Sequence, residues 1–125
     1  MGSLMDSVHR IDIDDPDVDT DMGQRMLYQG ELFTGEVVEY RDEQMVYLDV
    51  YTEGVRDGLS QGWHPDGSRK SLGTVRKGMP RGEFREWHAN GVLKSRQFFD
   101  DDIYSLRDET TWDEQGNVIR DWHRE

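Results

Sequence analysis

Two stretches decide the fold: Gly54-Val55-Arg56-Asp57-Gly58-Leu59-Ser60-Gln61-Gly62-Trp63-His64-Pro65-Asp66-Gly67 and Gly78-Met79-Pro80-Arg81-Gly82-Glu83-Phe84-Arg85-Glu86-Trp87-His88-Ala89-Asn90-Gly91. They align at an offset of 24 residues. Of the six punctuating pairs, five are identical, and the sixth exchanges Asp66 for Asn90. Upstream, Gly30, Gly35 and Tyr40 occupy the same slots at offsets of 24, 23 and 23; downstream, Trp112 and Gly116 follow Trp87 and Gly91 by 25. The chain therefore carries about three and a half copies of one unit, the mark of a repeat architecture.

Each unit has two turn signals. One is a pair of glycines, as in Gly54 with Gly58. The other is Asp-Gly or Asn-Gly, which suits a hairpin because both central residues adopt positive φ at low cost. Between them lie short runs rich in aromatic and β-branched residues, such as Met45–Thr52 and Val92–Phe99. Their length predicts strands, and no window offers a capped helical stripe. Only residues 101–109 leave room for a helical turn. The expected fold is all-β: antiparallel hairpins stacked side by side in an elongated single-layer sheet of about seven or eight strands. One hairpin cannot bury its aromatic residues alone, so stability comes from neighbouring units. Tyr40, Trp63, Trp87 and Trp112 fall in one row across the sheet, and Tyr51, Val75 and Phe99 in another.

The chain of 125 residues divides into a segment 1–27 and a repeat domain 28–125. In the first, Arg10 and Arg25 face Asp6, Asp12, Asp14, Asp15, Asp17, Asp19 and Asp21, for a charge of 2 − 7 = −5. Repulsion and scarce apolar surface predict a mobile or loosely docked arm. Over the whole chain, 15 basic and 27 acidic side chains give −12. Such a surface repels nucleic acid and anionic lipid and favours a basic protein partner. There is no cysteine, which excludes disulfides and thiolate chemistry. No segment has the ~20 apolar residues of a membrane span, and residues 1–10 lack a secretory pattern, so a cytoplasmic location is expected.

The glycine and aromatic pattern of Tyr28-Gln29-Gly30, Tyr51-Thr52-Glu53-Gly54 and the two quoted stretches resembles the MORN repeat. It is most similar to the bacterial MORN-variant proteins grouped as the YwqK family. The resemblance covers about residues 28–122. It implies an elongated curved sheet of hairpins and, for bacterial members, an antitoxin or immunity protein that blocks a toxin. In eukaryotic members it implies scaffolding and phosphoinositide binding. The last unit departs from the pattern, because Asp102 and Leu106 stand where Gly78 and Gly82 would recur.

Chemistry-bearing candidates weigh toward binding. His64 and His88 are equivalent positions two strands apart, about 10 Å, too far for one zinc ion. A calcium loop starting at Asp15 would need glycine and glutamate where Thr20 and Met26 stand. Carboxylate pairs such as Glu83 with Glu86 lack a pocket to perturb them, and the serines lack a nucleophile-elbow context. Arg69, Lys70, Arg76, Lys77, Arg81 and Arg85 read as cross-strand partners for acidic residues or as a docking patch for an acidic group. The expectation is thus a non-enzymatic chain with no metal and no cofactor. Its binding residues are Tyr40, Trp63, Trp87 and Trp112 on the sheet, because large rings make interface anchors, and Asp12, Asp14, Asp15 and Asp17 in the arm. The leading partner is a basic toxin or enzyme. The rivals are a scaffold that forms a homodimer through its edge strands, and an accessory protein of a biosynthetic cluster with a small-molecule pocket.

Overall fold

The computed structural model describes residues 10–101 and 105–124. All elements are strands: β1 (Arg10–Asp12), β2 (Val18–Thr20), β3 (Met26–Tyr28), β4 (Glu31–Leu32), β5 (Gly35–Arg41), β6 (Gln44–Thr52), β7 (Val55–Trp63), β8 (Arg69–Arg76), β9 (Met79–Trp87), β10 (Leu93–Phe99), β11 (Leu106–Trp112) and β12 (Val118–His123). A nine-stranded sheet runs β1-β5-β6-β7-β8-β9-β10-β11-β12, and a three-stranded sheet runs β2-β3-β4. The eight strands β5 to β12 form one antiparallel meander. This is the expected hairpin stack. Of residues 101–109, which leave room for a helical turn, 106–109 belong to β11 and 102–104 lie outside the described residues.

The turn chemistry is distributed differently from the sequence expectation. Two-residue loops with both φ values positive occur at Gln29-Gly30 (54°, 84°), Asp42-Glu43 (50°, 70°), Glu53-Gly54 (49°, 81°) and Lys77-Gly78 (51°, 82°). These are the primed turns that match strand twist. The Asp66-Gly67, Asn90-Gly91 and Gln115-Gly116 sites are instead longer turns in which glycine alone is left-handed: Gly67 at 90°, Gly91 at 90° and Gly116 at 88°. His64 N–H donates to Ser68 O and Gly67 N–H to His64 O, both at 2.8 Å. Asp66 is not left-handed here, and its carboxylate accepts from Ser68 N–H at 2.9 Å. Asn90 repeats this bond to Val92 N–H at 3.0 Å.

A bulge follows at each of these tips. Ladder pairs step from Glu39↔Tyr47 to Tyr40↔Met45, from Gly62↔Ser71 to Trp63↔Arg69, from Glu86↔Ser95 to Trp87↔Leu93, and from Thr111↔Arg120 to Trp112↔Val118. Val46, Lys70, Lys94 and Ile119 are therefore the extra residues, one per unit. A bulge increases local twist, so the repeat builds the same twist into every hairpin beside its aromatic residue.

Over its described part the acidic segment docks on the repeat through strands. Strand β1 pairs parallel with β5. Ile11 (5% exposed) and Met26 (6%) join Phe33 and Val37 in the core, with Val18, Tyr28 and Tyr51 packed against them. The boundary at residue 27/28 therefore falls inside β3. Widely spaced apolar residues suffice here because the turns satisfy the carboxylates locally. Asp12 accepts from Asp14 N–H at 2.9 Å and Asp15 from Asp17 N–H at 2.8 Å. Gly54 is the docking point: its N–H donates to Phe33 O, and its carbonyl accepts from Met26 N–H, each at 2.8 Å. Beyond this end the sheet is one layer, for substantial strand contacts run only between sheet neighbours.

Candidate functional site: the open sheet and its aromatic row

Cross-strand register sorts the side chains onto two faces. Gln61, Leu72, Arg85, Arg96, Thr110 and Asp121 are successive partners and share one face. Glu83, Phe98, Asp108 and His123 lie on the same face one step away. This face is the open one. Leu59 is 43% and Phe98 39% exposed, and Arg85 and Arg96 are exposed as well. Arg85 and Arg96 stand directly opposite each other. Like charges there would repel, but both contact Glu83, whose oxygens divide between them. The Arg96 and Arg85 guanidiniums hold the Glu83 carboxyl below its ordinary range.

The other face is tighter. Ser95 and Val75 are buried at 6% and 3%, although no described strand is layered over them. Its centre is lined with small residues, and the Phe84 ring lies over Gly73, where a Cβ would come within 2.3 Å of it. Polar groups on this face are internally matched. Ser60 donates to Asp49 at 2.6 Å, Ser95 to Glu86 at 3.2 Å and Gln97 to Glu109 at 2.8 Å.

The four aromatic candidates are brought into one row at the tips of the bulged hairpins. Tyr40 is 41% exposed, and Trp63, Trp87 and Trp112 are half-buried. Their units are stapled together by the adjacent histidines. His64 Nε2 lies 2.9 Å from Trp87 O, and His88 Nε2 lies 2.8 Å from Trp112 O. Asn90 Nδ2 extends the pattern to Glu114 O at 2.9 Å. These histidines thus hold the stack, a role the sequence reading missed. The signal was present, since donor and acceptor are separated by 23 and 24 residues.

Asp12, Asp14, Asp15 and Asp17 gather at the turn between β1 and β2, beside β5. Asp12 and Asp15 close turns, and Asp17 accepts from Gln29 Nε2 at 3.1 Å. Asp14 is exposed. Six strand spacings separate β5 from β11, about 29 Å, so this cluster meets only the Tyr40 end of the row.

The basic residues of the middle units do not form one patch. Arg69 and Lys70 start β8, while Arg76 and Lys77 lie at its opposite end. Arg69 sits over the Trp63 ring at 6.0 Å, and Lys70 donates to Tyr47 Oη at 3.0 Å. Arg81 pairs with Asp101 at 3.1 Å.

Grooves on the open face are shallow. One, between Leu59, Leu72, Glu83, Arg85 and Trp87, holds 260 Å³. Another, between Arg96, Phe98, Asp108, Thr110 and His123, holds 200 Å³. Both fall below the ~300 Å³ at which small-molecule pockets begin. In the second, Asp108 accepts from His123 Nδ1 at 2.6 Å, and that hydrogen bond pushes the imidazole pKa up. Among the described residues, no group of three or more His, Cys, Asp or Glu side chains is placed to hold a metal ion. No described helix is long and apolar enough to cross a membrane. No family model, curated protein or solved structure matches this chain.

Proposed function

We propose that this chain is a non-enzymatic protein-binding module of the cytoplasm, and that it neutralises a basic toxin or enzyme by direct contact, as an immunity protein or antitoxin does. The observation that carries this reading is the open face of β7–β11, where exposed Leu59 and Phe98 stand beside Arg85, Arg96 and half-buried Trp87. Aromatic and arginine side chains on a preformed surface are the composition of interface anchors. The shallow grooves suit a flat protein contact better than a small ligand. A charge of −12 speeds encounter with a cationic target and disfavours anionic ones. Exposed Asp14 and Asp17 add acidic rim at the β5 end. The MORN-like repeat supports the immunity or antitoxin role.

The test is co-purification with the product of the neighbouring gene, followed by calorimetry. A complex is expected that weakens on Leu59→Lys or Phe98→Asp and associates more slowly in high salt. No complex with any co-encoded protein, or an affinity indifferent to both substitutions, would remove the proposal.

A further inference from the structure

The two ends of the nine-stranded sheet are built differently. At one end β1 covers β5, offers only three residues, and turns off into the smaller sheet. At the other end β12 is the last strand, and no described residue pairs with its outer side. Val118 and Ile119 there are 60% and 67% exposed. The main-chain groups of β12 can be assigned by alternation. Arg124 N–H donates inward to Arg107 O at 2.9 Å. In an antiparallel ladder, inward and outward residues alternate. Trp122 and Arg120 therefore point inward with Arg124, and His123 and Asp121 present N–H and C=O to solvent, up to the bulge at Ile119 where the alternation breaks.

We propose that this edge pairs with β12 of a second copy, antiparallel about a two-fold axis, so that the two nine-stranded sheets become one. Two-fold antiparallel pairing sets one residue opposite itself. The register centred on Asp121 sets Asp121 opposite its twin and the exposed bulge residue Ile119 opposite His123 of the second copy on both sides of the axis. The same register sets Arg120 opposite Trp122 of the second copy, twice, the pairing of a guanidinium with an indole. The strand is thus complementary to itself. The single conflict is Asp121 against its own twin, which His123 Nε2, 3.5 Å away in each copy, offsets in part. The dimer uses both β12 edges, and the opposite end offers only the three residues of β1, so growth stops at two copies. Because each copy carries −12, salt strengthens the pairing by screening.

Sedimentation of the full chain across the micromolar range, at low and high salt, reads the outcome. A monomer–dimer equilibrium that tightens with salt is expected. Ile119→Lys, at an exposed site, places a charge on the edge and weakens the dimer about tenfold or more. Asp121→Asn removes the like-charge pair and tightens it about threefold. Circular dichroism confirms that both variants keep the fold. A monomer at every concentration, a dimer unmoved by both substitutions, or open-ended assembly would each overturn the proposal.

Discussion

The imidazole of His64 reaches across the sheet to the main-chain oxygen of Trp87, 2.9 Å away, so the side chain of one unit fixes the backbone of the next. His88 repeats the contact on Trp112. Replacing either histidine by alanine is expected to cost about 0.5–1.5 kcal/mol, the net worth of one hydrogen bond. Urea unfolding checks this. Equal stability of His64→Ala and the parent chain would show that the contact is incidental.

Glycines of similar φ have different tolerances. Gly54 and Gly91 sit at +81° and +90°, but a Cβ on Gly54 would meet Met26 O at 2.8 Å, whereas one on Gly91 meets nothing within 4 Å. Gly91→Ala therefore carries backbone strain alone, about 1 kcal/mol. Gly54→Ala adds displacement of β3 and costs about 2–3 kcal/mol. Thermal denaturation of the two variants side by side gives the ranking.

The Phe84 ring and Gly73 are coupled. Gly73→Ala should destabilise strongly, because the ring must leave its seat and overpacking costs about 1–3 kcal/mol. In a double-mutant cycle with Phe84→Ala, the two losses should fall short of additivity. Simple addition would show that the ring does not rest on the glycine.

Exposed His123 and half-buried Glu83 set opposite pH trends. The His123 pKa is raised above 6.5 by its hydrogen bond to Asp108. Its contribution to stability is present in full below 6.5 and is lost as pH rises through the folded value. The Glu83 pKa is lowered below 4.5 by Arg96 and Arg85, so its contribution is present above 4.5 and is lost as pH falls through the folded value. An NMR titration of His123 should show the raised pKa in the parent chain and its return toward 6.5 in Asp108→Asn.

The stack was legible because glycine, tryptophan and Asn/Asp-Gly recur at a fixed interval, and a repeat leaves few arrangements open. Two things were not legible. The turn types were exchanged: Asp-Gly permits a primed turn, but here the Asp66 carboxylate accepts from the N–H two residues on and the turn is the longer one. The segment around Ile11 read as a mobile or loosely docked arm because net charge dominates its composition. Three apolar residues, Ile11, Val18 and Met26, were enough to dock it once Asp12 and Asp15 bent the chain. Of the site, the aromatic row followed from the period. The Arg85–Glu83–Arg96 group did not, because it depends on strand register rather than on spacing along the chain.

The lopsided placement of the apolar cluster has a dynamic consequence. Ile11, Met26, Phe33 and Val37 are all close to β5, whereas β12 has no buried residue. Local opening should begin at the last hairpin and travel inward. Amide exchange should accordingly be fastest in β12, slower through β9 and slowest in β5 and β6, a gradient that leaves the terminal strand the readiest to trade its neighbours.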